Sequence, residues 1–116
     1  MVDKINLLER QCQPCEGGVP PLEAEAAEQL LRALNSDWSI SADGKWIRRE
    51  FEFRGFNRTM GFVNAVAWIA NSEGHHPDLE VSYSKCVANY STHAINGLSE
   101  NDFICAAKID RLVEGL

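Results

Sequence analysis

Residues 73–102, EGHHPDLEVSYSKCVANYSTHAINGLSEND, hold all three histidines of the chain and read as a β-hairpin leading into a helix. Leu79, Val81 and Tyr83 occupy alternate positions, as do Cys86, Ala88 and Tyr90, which is the period of two of a half-buried strand. With Ser84-Lys85 as the turn, Tyr83 pairs with Cys86, Val81 with Ala88 and Leu79 with Tyr90, so every apolar residue falls on one face. Continued past the Leu79 pair, this register brings Pro77 near Thr92 and then sets His76 opposite His93. Asn96-Gly97 marks the next turn. Ser99 followed by Asp102 is a capping-box-like start to a last helix, whose apolar face carries Phe103, Ala107 and, less regularly, Ile104, Leu112 and Val113.

Upstream, residues 56–73 form the longest apolar-periodic segment. Phe56, Met60, Val63, Ala67 and Ala70 share one helical stripe, with Phe62, Val66 and Ile69 on its neighbour, and Gly74 is suited to end the helix. So broad an apolar surface fits either a subunit interface or a deeply buried helix. Before it, residues 38–41 and 46–53 alternate around Ala42-Asp43-Gly44-Lys45, where Asp-Gly favours a tight hairpin turn. That pairing sets Ile40 opposite Ile47, on the face of Phe51 and Phe53, and leaves Arg48, Glu50 and Glu52 on the other. Leu22, Ala26, Leu30, Leu31 and Leu34 predict a first helix over residues 22–35. The order αββαββα predicts an α+β fold, a four-stranded antiparallel sheet with helices packed on one face.

At 116 residues the chain suits one core, so residues 22–116 read as a single domain and residues 1–21 as a leader or loop. With 45% hydrophobic and 24% charged residues, and no apolar run of the roughly 20 residues a spanning helix needs, the composition is that of a soluble globular protein. The N-terminus lacks an apolar signal core, which predicts a cytoplasmic location and reduced thiols for the four cysteines. Cys12 and Cys15 form a CxxC, but half a zinc site needs another pair of ligands, and the remaining cysteines are scattered. A net charge of −6, with Arg48, Arg49, Arg54 and Arg58 interleaved with Glu50 and Glu52, argues against direct nucleic-acid binding.

Imidazole titrates near neutral pH, so His75, His76 and His93 in one place suit moving protons on and off a heteroatom-rich substrate. Three histidines also suit a catalytic zinc, yet adjacent His75 and His76 point apart in an extended chain and both reach one metal only across a bend. Any one histidine is equally an ordinary polar surface residue. An acid at Asp102 equally just favours a helix N-terminus.

These residues resemble the pterin-4a-carbinolamine dehydratases, a family that in animals includes the dimerization cofactor of a homeodomain transcription factor. The family pattern is His-His-Pro, an aromatic residue six positions after the proline, a histidine ten further on and an aspartate nine beyond that. His75, His76, Pro77, Tyr83, His93 and Asp102 reproduce it. The segments FNRTMGFVNAVAWIA and STHAINGLSENDF and the isolated Trp38 also resemble the family, over about residues 22–113. One position departs from it: four residues before the first histidine the family usually has a charged residue, most often glutamate, and this chain has Asn71. On a helix Glu73 points about 200° away from position 71, so it can substitute only where the helix has ended.

The resemblance implies dehydration of 4a-hydroxytetrahydropterin to quinonoid dihydropterin, recycling the cofactor of aromatic amino acid hydroxylases, with no metal and no bound cofactor. It makes His75 and His93 the acid/base pair and Asp102 the residue that orients the site. His76, with Pro77, Ser91 and Thr92 beside the histidines, would bind substrate. Open sheet edges and the apolar helix predict a homodimer or homotetramer. The competing expectation is a non-catalytic interaction or assembly module on the same fold.

Overall fold

The structure is a computed structural model that describes residues 4–14 and 19–114. Helix α1 spans Lys4–Glu9 and α2 Ala24–Leu31; strands β1 Ser39–Ile40 and β2 Ile47–Glu52 follow. After α3, Phe56–Glu73, come β3 Asp78–Val81, β4 Lys85–Tyr90, a one-turn 3₁₀ helix His93–Ile95, and α4 Glu100–Glu114. The four strands make one antiparallel sheet in the order β1-β2-β4-β3, confirming the α+β architecture.

The first hairpin has the expected register, Ile40 opposite Ile47. Its turn is fixed by Asp43, whose carboxylate accepts from Ser41 Oγ at 2.6 Å and Lys45 N at 3.0 Å, and by Gly44 at φ 73°. Ile47 and Phe51 are buried against the helices, while Arg48, Glu50 and Glu52 face water. On β4, Cys86, Ala88 and Tyr90 join that buried face. Val87 is buried on the opposite face, because β4 is central and Glu50 and Glu80 flank Val87 from both neighbouring strands.

The second hairpin differs from expectation. Val81 pairs with Cys86 and Leu79 with Ala88, a shift of two residues, and the turn is Tyr83-Ser84, closed by Ser82 N to Lys85 O at 2.9 Å. Tyr83 therefore sits in the turn rather than in the strand. The start of α3 holds it there: Thr59 Oγ1 donates to Tyr83 O at 3.0 Å, and the rings of Phe56 and Tyr83 lie 6.4 Å apart.

Helix α3 covers the predicted span and ends at Gly74 in the left-handed conformation, φ 66°. Phe62, Val66, Ile69 and Ala70 are buried in the core. Phe56 and Ala67 of the other stripe are exposed, as is Trp68 at 71%. In the single chain the helix is thus half core and half open apolar surface.

Residues 4–9, expected to belong to a leader or loop, form α1, which packs on α4 with Leu7 fully buried. Six residues are too short a stretch for periodicity to be read from sequence, yet Leu7, with half-buried Leu8 beside it, closes the core against α4. Residues 10–14 and 19–21 have no regular structure, as expected of that stretch, while α2 spans only Ala24–Leu31 of the expected 22–35. Cys15, the second cysteine of the CxxC, lies outside the described residues.

A charged residue also faces inward. Arg49 shares the buried face of β2 with Ile47 and Phe51, and its Nη1 donates to Asp110 Oδ1 at 2.6 Å. The same carboxylate accepts from Trp38 Nε1 at 2.7 Å and Asn35 N at 2.9 Å, so α4, the sheet and the segment between α2 and β1 meet at one buried group.

Candidate functional site

The end of α3, the bend before β3, the end of β4 and the start of α4 converge on a cleft of about 410 Å³, within the usual range for small-molecule sites. His75, His76 and His93 all line it, with Ser91 and Thr92 between the strands' ends. The histidines meet by a route other than the expected one. In the observed register His76 would lie opposite Ser91, and His93 has left the strand for the 3₁₀ helix. Thr92 N donates to Gly97 O at 2.8 Å, and Asn96 at φ 53° turns the chain back, which presents His93 to the cleft.

His75 is the best-held of the three. Its Nε2 hydrogen-bonds Asp102 Oδ1 at 2.6 Å, and its ring stacks on Tyr90 with centroids 5.8 Å apart and planes 6° from parallel. Asp102 is fully buried behind it in the first turn of α4. The other carboxylate oxygen, Oδ2, accepts from Thr92 Oγ1 at 2.9 Å and Ser99 N at 3.0 Å, the second being the expected capping contact. Because Thr92 gives its proton to Asp102, the 2.7 Å contact between Thr92 and Ser99 has Ser99 Oγ as donor. With Nε2–H committed to the carboxylate, Nδ1 is the ring nitrogen left to exchange a proton.

The remaining expected residues divide. His76 and His93 are exposed, and the edge of Trp46 packs on His93 at 5.6 Å. Pro77 does not line the cleft. Thr92 is buried, with its hydroxyl committed to Asp102, and the Ser91 hydroxyl donates to Gly97 O at 3.4 Å. Both hydroxyls thus hold the loop around His93. Burial, chiefly, and the neighbouring Cys105 raise the Tyr90 phenol well above its ordinary value, so it stays neutral beneath the His75 ring. Among the described residues no group of three or more His, Cys, Asp or Glu side chains is placed to hold a metal ion.

One wall went unread in the sequence: Cys12, Gln13 and Pro14 close the cleft from the N-terminal side. Gln13 N donates to Asn101 Oδ1 at 3.0 Å and Asn101 Nδ2 to Gln13 O at 2.6 Å, a two-way clasp onto α4. Cys12 N donates to Glu73 Oε1 at 2.8 Å, and Lys108 Nζ to Glu73 Oε2 at 2.5 Å. The sequence carries no periodic signal for such a clasp. Glu73 is still helical and lines the cleft, whereas exposed Asn71 does not, so Glu73 does not occupy the position the family pattern leaves to residue 71.

Burial raises the Glu73 carboxyl, but Lys108 and the Cys12 N–H outweigh it, and the net pKa lies below the ordinary 4.5. A lowered folded value contributes stability that is complete above the unfolded pKa and is lost as pH falls through the folded one. Glu73→Gln is therefore expected to narrow the gap in unfolding free energy between neutral pH and about pH 3. Urea titrations of both proteins at the two pH values check this; an unchanged gap would show that the carboxylate is not held by Lys108 and Cys12.

A larger groove of about 680 Å³ between α1, α3 and α4 is walled by Leu8, Trp68, Ile69 and Leu112 and contains no histidine or carboxylate. All three histidines of the chain line the smaller cleft instead.

Residues 20–112 match the family described as Pterin 4 alpha carbinolamine dehydratase. A relative from Nitrosomonas eutropha, named "Putative pterin-4-alpha-carbinolamine dehydratase", is 55% identical over 97% of this chain and 98% of that protein. A Legionella pneumophila protein of the same name is 52% identical over 93% of this chain and 96% of its own length. A crystal structure titled as a transcriptional coactivator/pterin dehydratase from Brucella melitensis superposes with a TM-score of 0.75 at 29% identity, covering 79% of this chain and 97% of that one. A pterin dehydratase-like RuBisCO assembly factor of the alpha-carboxysome shares the fold at a TM-score of 0.58 and 19% identity, over 67% of this chain and 90% of that one. The chain belongs to the pterin-4a-carbinolamine dehydratase family.

Proposed function

We propose that the protein dehydrates 4a-hydroxytetrahydropterin to quinonoid dihydropterin, returning the cofactor that aromatic amino acid hydroxylases release. The observation that carries this reading is the gathering of His75, His76 and His93 in one cleft, with His75 held by buried Asp102. Loss of water from a carbinolamine needs a proton delivered to the departing 4a-hydroxyl and another removed from the adjacent ring nitrogen. That nitrogen's lone pair expels the oxygen and forms the new C=N bond. The protein need supply only the two proton transfers, so no metal or bound cofactor enters. His75 and His93 take these roles, His76 binds the pterin, and Asp102 fixes the tautomer and orientation of His75. Thr92 and Ser91 contribute by holding Asp102 and the His93 loop, while Pro77 shapes the bend that carries His75 and His76.

A coupled assay of pterin turnover by the purified protein tests the reading, with His93→Ala and Asn71→Glu beside it. Turnover that falls by about 10²-fold or more in His93→Ala supports it. Wild-type-like rates in that variant would exclude His93 from the chemistry, and an inactive wild type rescued by Asn71→Glu would mark a chain that has lost the enzyme role.

A second reading, an interaction or assembly module, is favoured by the open apolar surface of α3 with Phe56 and Trp68 and by the titles of the two solved relatives. Its signature is a stable complex indifferent to His75→Ala. The same surface and the β3 edge support a homodimer or homotetramer in either case. No helix among the described residues is long and apolar enough to cross a membrane.

A further inference from the structure

We infer that Cys12 and Cys105 are a reversible oxidation site, a thiol pair whose disulfide fastens the N-terminal wall of the histidine cleft to α4. The two sulfurs lie 3.6 Å apart although the residues are 93 positions apart in sequence. Cys12 is half-buried on the cleft wall, where a small oxidant reaches it, and Cys105 is fully buried behind it. Cys105 follows Asp102 by one helical turn, so the bond would form directly beneath the carboxylate that holds His75. The backbone around Cys12 is already seated by the Gln13–Asn101 clasp, the Glu73 contact and the Arg10–Glu100 ion pair. A disulfide needs the sulfurs at about 2.05 Å, a short approach for two side chains already in contact. Cys12 lies outside the residues 20–112 that match the family, whereas Cys105 lies within them.

The chemistry balances with a peroxide as oxidant. Cys12 sulfur attacks the peroxide O–O bond, giving a sulfenic acid and one water. Cys105 sulfur then attacks Cys12 sulfur and expels the hydroxyl, which leaves as a second water with the Cys105 proton. Two thiol hydrogens are lost, and a dithiol reductant restores them. The hydrogen-bonded contact with Cys105, and burial, push the Cys12 thiol up, so the first step is slow at neutral pH and quickens as pH rises. The second step is intramolecular between touching groups and follows at once. The site responds to sustained rather than trace peroxide.

The test uses the full chain, treated with hydrogen peroxide, blocked with an alkylating agent, and read by intact mass and peptide mapping. The expected result is loss of two hydrogens, a peptide joining Cys12 to Cys105, reversal by dithiothreitol, and a higher melting temperature for the oxidised form, since the link closes a long loop. Cys12→Ser abolishes the link and Cys15→Ser leaves it intact. Should Cys105→Ser not fold, the half-buried Cys12→Ser variant carries the comparison. Pairing of Cys12 with Cys15, over-oxidation of Cys12 without a link, or unchanged mass would each overturn the proposal. None of these readouts depends on pterin turnover.

Discussion

Replacing His75 with alanine is expected to lower carbinolamine turnover by about 10² to 10⁴-fold, the contribution of one well-placed acid or base. The size of the effect follows from how firmly the ring is held, by Asp102 at 2.6 Å on one side and by the face of Tyr90 on the other. The variant still folds, because Asp102 keeps Thr92 and Ser99 as donors. A thermal melt beside the assay separates the two losses: chemistry gone with the transition largely kept is the expected result. Asp102→Asn offers the contrast, since an amide in place of the carboxylate turns a donor toward Ser99 N–H or toward His75. It is expected to reduce turnover and to move its pH profile, as a residue acting through His75 should. Full activity in His75→Ala would remove the proton-transfer role from this side of the cleft.

Asp110→Ala is expected to cost about 3–5 kcal/mol of unfolding free energy, the toll of taking its buried counter-charge from Arg49, which keeps only a looser contact with exposed Asp37 at 3.7 Å. Arg49, only 11% exposed, would keep its charge in the core beside Phe51, whose ring it overlies at 4.4 Å, and Trp38 Nε1 and Asn35 N would lose an acceptor. Set against a typical total of about 5–15 kcal/mol, that is a large share. Urea unfolding measures it directly, and a loss below about 1 kcal/mol would mean that water reaches the Arg49 guanidinium once Asp110 is gone.

The sequence was informative where local chemistry decides. Asp43-Gly44 fixed the first hairpin to the residue, Gly74 ended α3 where a left-handed residue was needed, and Ser99 with Asp102 began α4. The second hairpin shows the limit of face patterning. A slip of two residues leaves every side chain on its own face, so burial of Leu79, Cys86, Ala88 and Tyr90 fits both registers equally. What selects between them is Tyr83 against Phe56 and Thr59, a contact with the preceding helix that no strand pattern encodes. The histidine cluster was anticipated from a pairing that does not occur; it arises instead because Thr92 and Gly97 close the loop after β4. Arg49 did leave a trace, a charge at an inward position between Ile47 and Phe51, which demands a buried counter-charge without saying that Asp110 supplies it.

Helix α4 bears both anchoring carboxylates: Asp102 in its first turn serves the cleft, and Asp110 ties the sheet and Trp38. Every residue from Asn101 to Ala107 is buried. Amide protons along this segment should therefore exchange with solvent only when the whole molecule opens. The partner of His75 is thus expected in the slowest-opening part of the chain, while His93 sits on an exposed single turn. Of the proposed acid/base pair, one member is thus anchored to global cooperativity, and the other to a single turn braced by Trp46.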